Sequence, residues 1–313
     1  MRDRDPLPQL SAERPFVTDG GLETTLIFHR GLVLPDFAAF VLLEKEAGRE
    51  ALRDYYLPYL AIARERGVGI VLDTPTWRAN PDWATRLGYS AAELDEANRR
   101  AVALVEEIRS SEPTGGAPIV ISGAIGPQGD GYSPVEILSA RDAERYHAQQ
   151  IGSFSRTAAD LVTAFTITYS DEAIGVVRAA QAVGMPVVIG FTVETDGRLP
   201  DGTPLREAIE EVDAATGAAA AYFMVNCAHP THFARVLDED GPWLERIGAI
   251  RANASTRSHA ELDEAEDLDE GDPVQLGADH RELRRRLPRV RVLGGCCGTD
   301  HRHVAEVLAV WDE

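Results

Sequence analysis

The sequence predicts an α/β fold, a (β/α)8 TIM barrel in a single domain, and three observations carry that reading. Short apolar runs alternate with helical patterns eight times along the chain, the order that builds a parallel sheet wrapped by helices. Runs such as Val68-Gly69-Ile70-Val71-Leu72-Asp73 are almost wholly apolar, as strands buried on both faces must be. The 313 residues suit one barrel with long loops. No Gly-x-Gly-x-x-Gly follows the first strand, which counts against an open dinucleotide-binding sheet.

Residues 1–14 read as a flexible lead-in, and residues 15–313 as the barrel. Pro15 to Thr18 is the first strand, ending in Asp19-Gly20-Gly21. Glu44 to Arg66 carries Leu52, Tyr56, Leu60 and Ala63 at helical spacing, and Gly67 stops it. Val68 to Asp73 is the second strand; Ser90 and Glu93 form a capping box for a helix reaching about Ser110. Ile119 to Gly123 is the third strand, and Ser139 caps a helix to about Ala159. Asp160 to Phe165 is the fourth strand, followed by a helix from Asp171 to Val183 with Gly184 as its stop. Pro186 to Val193 and Ala220 to Val225 are the fifth and sixth strands, the latter running into Asn226-Cys227. Ile247 to Asn253 is the seventh. The acidic stretch Glu261 to Asp272 reads as a solvated loop. Val290 to Leu293 is the eighth strand, leading through Gly294-Gly295-Cys296-Cys297-Gly298-Thr299 to a last helix capped by Thr299 or Asp300.

Composition narrows the function classes. A formal net charge of -20, from 51 acidic and 31 basic residues, disfavours nucleic acid and anionic membrane as partners. No apolar run is long enough to span a bilayer. The charged Met1-Arg2-Asp3-Arg4-Asp5 start lacks the apolar core of a signal peptide. With three cysteines, an odd number, a disulfide framework is disfavoured, and a reducing, cytoplasmic setting is the expectation.

Chemistry concentrates on those cysteines. Cys227 ends one strand, and Cys296 and Cys297 end another. In a barrel of this kind the working residues stand at the C-terminal ends of the strands, so Asp19, Asp73, Asn226 and the three thiols share one mouth. Spacing alone leaves three readings: a three-thiolate zinc site with an open position, inert buried thiols, or a redox pair. The adjacent pair would make a strained disulfide. His229, His301 and His303 read as surface or capping residues rather than ligands.

Asn226-Cys227 followed by Gly294-Gly295-Cys296-Cys297-Gly298-Thr299, with Thr18-Asp19-Gly20-Gly21-Leu22-Glu23-Thr24-Thr25-Leu26 at the start, resembles the homocysteine S-methyltransferase family from about Phe16 to Leu308. The resemblance implies Zn2+ on Cys227, Cys296 and Cys297 and transfer of a methyl group from a sulfonium or quaternary ammonium donor to a zinc-bound thiol, by default homocysteine giving methionine. It places Asp19, Gly20 and Gly21 over the substrate's amino-acid end; Glu23 and Thr25 are nearby polar candidates, Asn226 stands at its strand end beside the site, and Phe37 reads as a pocket wall or as plain core. Trp77 stands where the family carries a tyrosine, and could hold the cationic donor by cation–π contact. The partners implied are a small-molecule thiol and a methyl donor; a homo-oligomer is left open. One departure concerns the acceptor. Relatives that use homocysteine carry a glutamate after the fourth strand to receive the ammonium, and Phe165 stands there. Glu23 or Glu194 takes that role, or the zinc chemistry serves another thiol or a different methylated cation, or the barrel is catalytically silent.

Overall fold

Eight parallel strands close on themselves in sequence order: β1 Phe16–Val17, β2 Gly69–Asp73, β3 Ile119–Ile125, β4 Leu161–Ile167, β5 Val187–Phe191, β6 Tyr222–Asn226, β7 Ile247–Ala252 and β8 Val292–Gly295. The structure is a computed structural model, and it describes residues 6–112, 114–132 and 137–311. The ring closes where Phe16 pairs with Val292 and Val17 with Leu293.

Alternation along each strand sorts side chains into two layers. Val71, Val120, Ala124, Leu161, Val188, Met224, Ala249 and Val292 fill the inside of the barrel. Ile70, Leu72, Ile121, Val162, Ile189, Val225, Ile250 and Leu293 face outward against the helices. Because the period is two, the inner row continues at the strand ends into Asp73, Phe165, Asn226 and Arg251. The strands therefore dictate which side chains meet at the mouth.

One outer helix serves the site directly. Glu46–Arg66 buries Leu52, Tyr55, Tyr56, Tyr59, Leu60 and Ala63 on one face and ends at Gly67 in the left-handed region (φ 63°). The tyrosine hydroxyls reach the mouth: Tyr55 donates to Asp19 Oδ2 (3.0 Å) and Tyr56 to the Asp73 carbonyl (2.7 Å).

Three sequence readings are revised. The described part of the expected flexible lead-in is packed: Leu7 is buried within the barrel's inner layer, and Pro8–Leu10 form a 3-10 turn. An apolar ring with an open lower end would leave that layer wet, and Leu7 covers it. The acidic stretch is not all loop. Ser258 opens a short helix, His259–Asp263, with a capping box, and Asp272 caps Pro273–Arg284, a helix unmarked in the sequence reading. The helix capped by Ser139 ends at Ser155, short of Ala159.

Candidate metal centre and substrate cavity

The three cysteines converge because β7 lies between the strands that carry them. Cys227 N donates to the Arg251 carbonyl (3.1 Å) and Cys296 N to the Ala252 carbonyl (2.8 Å), so the last residues of β7 tether both. Cys227 Sγ lies 2.7 Å from Cys296 Sγ and 3.8 Å from Cys297 Sγ. Among the described residues this trio is the one His/Cys/Asp/Glu group spaced to hold a metal.

Cys227 adopts a left-handed backbone (φ 56°), rare for any residue other than glycine. Its carbonyl holds it there, accepting from Asn253 Nδ2 (3.0 Å) and Thr192 Oγ1 (3.3 Å) and lying 2.6 Å from His259 Nε2. Glycines keep the other side open. A Cβ on Gly295 would meet Thr299 Oγ1 at 1.9 Å, and one on Gly294 would meet the Asp19 carbonyl at 2.8 Å. Thr299 in turn donates to the Cys296 carbonyl (2.7 Å).

Soft sulfur donors suit a thiophilic metal. A tetrahedral ion with bonds of about 2.3 Å has sulfur–sulfur edges of roughly 3.8 Å. The Cys227–Cys297 edge has that length, and the Cys227–Cys296 edge must open by roughly 1 Å. Without metal the crowded thiols divide one charge unevenly. Hydrogen bonds from Cys227 and Cys296 hold Cys297 well below the ordinary thiol range, whereas hydrogen bonding to Cys227 and Cys297 pushes Cys296 up. Tyr132, which the sequence reading passed over, lays its hydroxyl 3.3 Å from Cys227 Sγ and 3.6 Å from Cys297 Sγ, with its ring stacked on His259 (centroids 4.2 Å).

These sulfurs form one wall of a cavity of about 250 Å³. Asp19, Gly20, Gly21, Glu23, Phe37, Trp77 and Phe165, all expected near substrate, line it. Thr25 and Asn226 do not. Thr24 stands at the wall instead of Thr25. Asn226 acts on Thr166, a cavity residue with φ 60°: its Oδ1 accepts from Thr166 N (3.0 Å) and its Nδ2 donates to Thr166 Oγ1 (3.1 Å). Glu194 also lies outside the lining and pairs with His259 Nδ1 (3.0 Å). His229 caps a helix, accepting from Thr231 N, and His303 Nε2 meets the Glu270 carbonyl (2.8 Å); neither they nor His301 line the cavity.

The floor is an ion cluster that the sequence reading missed. Arg251, buried at 6% exposure, donates through Nη1 to Asp73 Oδ2 (2.5 Å), through Nη2 to Asp19 Oδ1 (2.7 Å) and through Nε to the Gly295 carbonyl (2.9 Å). One cation thus ties β7 to the ends of β1, β2 and β8. Its guanidinium carbon lies 5.0 Å from the Phe165 ring centroid. A lone arginine in Ile247-Gly248-Ala249-Ile250-Arg251-Ala252 was the available signal, since a charge in a strand buried on both faces needs partners. Arg78, sandwiched between the Trp77 and Trp83 rings (4.0 and 3.8 Å), is the cavity's second guanidinium.

A family model described as homocysteine S-methyltransferase matches residues 16–310. No curated protein sequence matches the chain. Among solved structures, the oxidized form of the homocysteine methyltransferase MmuM from Escherichia coli superposes with a TM-score of 0.77 at 19% identity, covering 97% of this chain and 99% of that one. The metallated form of the same Escherichia coli protein gives 0.72 at 18% identity, covering 95% and 96%. At such identity these superpositions speak for the barrel.

Proposed function

The chain belongs to the homocysteine S-methyltransferase family, and from that premise we propose that it transfers a methyl group from a sulfonium or quaternary ammonium donor to a thiol held on zinc by Cys227, Cys296 and Cys297, homocysteine being the default acceptor. The observation that supports this most is the meeting of three sulfurs from β6 and β8 at the wall of one cavity. Zinc bound there supplies a centre that keeps a fourth, incoming thiol deprotonated at neutral pH.

The protein's own residues do the rest. Cys227, Cys296 and Cys297 present sulfur toward the cavity, and β7 holds their spacing. Phe37 lines the cavity as an aromatic ring for a methylated cation, while one face of Trp77 already carries the Arg78 guanidinium; the apolar surface of both rings excludes water from the transferring methyl. No side chain needs to take up the methyl, so placement in line carries the rate. Thiols that must remain reduced suit a reducing, cytoplasmic compartment.

A second reading keeps the metal but changes the acceptor thiol, or demethylates another cation. The apolar Phe165 at the cavity wall favours it. Zinc-loaded protein should form methionine from homocysteine and S-methylmethionine, and Cys296→Ala should lose both metal and turnover. Undiminished transfer by that variant removes the proposal. A clear preference for homocysteine over other thiols removes the second reading.

A further inference from the structure

The loop after β3 carries two side chains to the site: Asp130 at the cavity wall, and Tyr132 with its hydroxyl on two of the sulfurs. The backbone of this loop is held from two sides. From the segment after β2, Asn80 Nδ2 donates to the Pro127 carbonyl (3.2 Å), and Arg78 Nη1 (2.9 Å) and Trp83 Nε1 (3.2 Å) donate to the Gly129 carbonyl. From the far side, Gln128 N donates to Glu172 Oε1 (2.6 Å), and the same oxygen lies 2.9 Å from His147 Nε2. Glu172 stands on the helix Ser170–Ala182 and His147 on Ala140–Ser155. The two are 0% and 1% exposed, and neither lines the cavity. Glu172 Oε2 and His147 Nδ1 are buried without a hydrogen-bond partner among the described residues. A carboxyl kept in the interior with one oxygen unanswered works against folding, and an apolar side chain would pack there at less cost. The contact that sets Glu172 apart is its charge-assisted bond to one backbone N–H, and that N–H belongs to the loop on the sulfurs.

We propose that Glu172, braced by His147, is a positioning residue for the three thiols. Through Gln128 N it fixes the loop over residues 127–132, and the loop fixes the Tyr132 hydroxyl against Cys227 and Cys297. The proposal rests on the reading above only in taking these sulfurs as the working groups. The loop is short and stiff enough to transmit position. Tyr132 follows Gln128 by four positions. The stretch between them is tied down at the Gly129 carbonyl and turned by Tyr132 N donating to Asp130 Oδ1 (2.8 Å). Gly131 lies close to the indole of Trp77, where an added Cβ would come within 3.1 Å of the ring. With the bond to Glu172 removed, the loop opens more often, and each opening takes Tyr132 off the sulfurs and lets solvent reach them.

Alkylation of the reduced, metal-free full chain by iodoacetamide, followed by intact mass, reads the loop without turnover. Glu172→Ala should speed the native-state reaction about ten-fold or more, the effect of one charge-assisted hydrogen bond on an opening equilibrium. Glu172→Gln keeps an oxygen to accept from Gln128 N and should stay within about three-fold of the wild-type chain. Tyr132→Ala should speed the reaction by itself. Adding Glu172→Ala to Tyr132→Ala should then change the rate by less than about two-fold, because both act through one side chain. If Glu172→Ala does not fold, Glu172→Asp, which keeps the charge and shortens the reach, takes its place. An unchanged rate in Glu172→Ala overturns the proposal, and so does a Glu172→Gln rate as fast as that of Glu172→Ala. Effects that multiply in the double variant also overturn it, since a general loosening of the fold produces them. Methyl transfer is assayed apart, on zinc-loaded protein. No transfer alongside the expected alkylation rates removes the proposed function and leaves Glu172 in its role; transfer with alkylation indifferent to Glu172 does the reverse.

Discussion

Replacing Arg251 by methionine keeps the volume and removes the charge that bridges Asp19 and Asp73. The guanidinium side chain is 7% exposed and its two carboxylate partners 4% and 8%, so solvent screens little of the loss. Breaking a buried pair by deleting one partner costs about 3–5 kcal/mol, because the other charge is stranded. Two carboxylates are stranded here, but Asp73, already held up at about 6 by burial against the pull of Arg251, takes a proton at neutral pH once the arginine is gone. That limits the loss to about 4 kcal/mol. For 313 residues, unfolding entropy near the melting point is roughly 0.65 kcal/mol/K, so the midpoint should fall by about 6 °C. The sign with pH follows from the raised Asp73 carboxyl: stability it contributes is present at low pH and lost as pH rises through its folded-state value. The gap between Arg251→Met and wild type should therefore widen from pH 5 to pH 8. Adding Asp73→Asn to Arg251→Met should recover part of it. Circular dichroism melts across that pH range are the assay; a midpoint within about 1 °C of wild type, or a gap independent of pH, refutes the ion cluster as the tie between strand ends.

Three further outcomes are expected. Asn253→Ala removes a donor to the Cys227 carbonyl and should weaken zinc binding about ten-fold by chelator competition; unchanged affinity would mean that the left-handed Cys227 backbone needs no such support. Gly295→Ala drives a methyl onto Thr299 Oγ1 and should cost about 1–3 kcal/mol in denaturant melts, with a neutral result contradicting the close fit. His280 is buried and neutral, with its imidazole lowered to about 4 by burial. The stability it contributes is present above the ordinary histidine range and is lost as pH falls from 6.5 toward 4, by about 3 kcal/mol. His280→Phe should flatten that part of the pH–stability curve, and an unchanged slope would count against it.

Much of the barrel could be read from the chain because its signals are local. Val68 to Asp73 is apolar along its length, Ser90 and Glu93 sit at capping-box spacing, and Gly67 follows the last helical residue; each fixes an element without reference to the rest. The cysteines were legible for the same reason, since Cys227 and Cys296-Cys297 each close an apolar run. What could not be read depends on register between distant segments. Tyr132 reaches the sulfurs only because of the path of the loop after β3. Asn226 shares the inner row with Phe165 and Arg251 but turns its amide to Thr166, and no spacing rule says so. The helix Pro273–Arg284 was hidden by the charges before it: Asp272, counted in the acidic run, is its cap, accepting from Val274 N and Gln275 N. Leu7 looked like part of a polar tail, and its burial follows only from the ring above it.

The most direct measurement is metal content with X-ray absorption at the zinc edge on protein purified under reducing conditions. About one zinc per chain, in a shell dominated by sulfur at about 2.3 Å, is the expected result, lost in Cys227→Ala, Cys296→Ala and Cys297→Ala alike. Protein that binds no zinc, or that keeps it in a nitrogen and oxygen shell when these cysteines are replaced, contradicts the account.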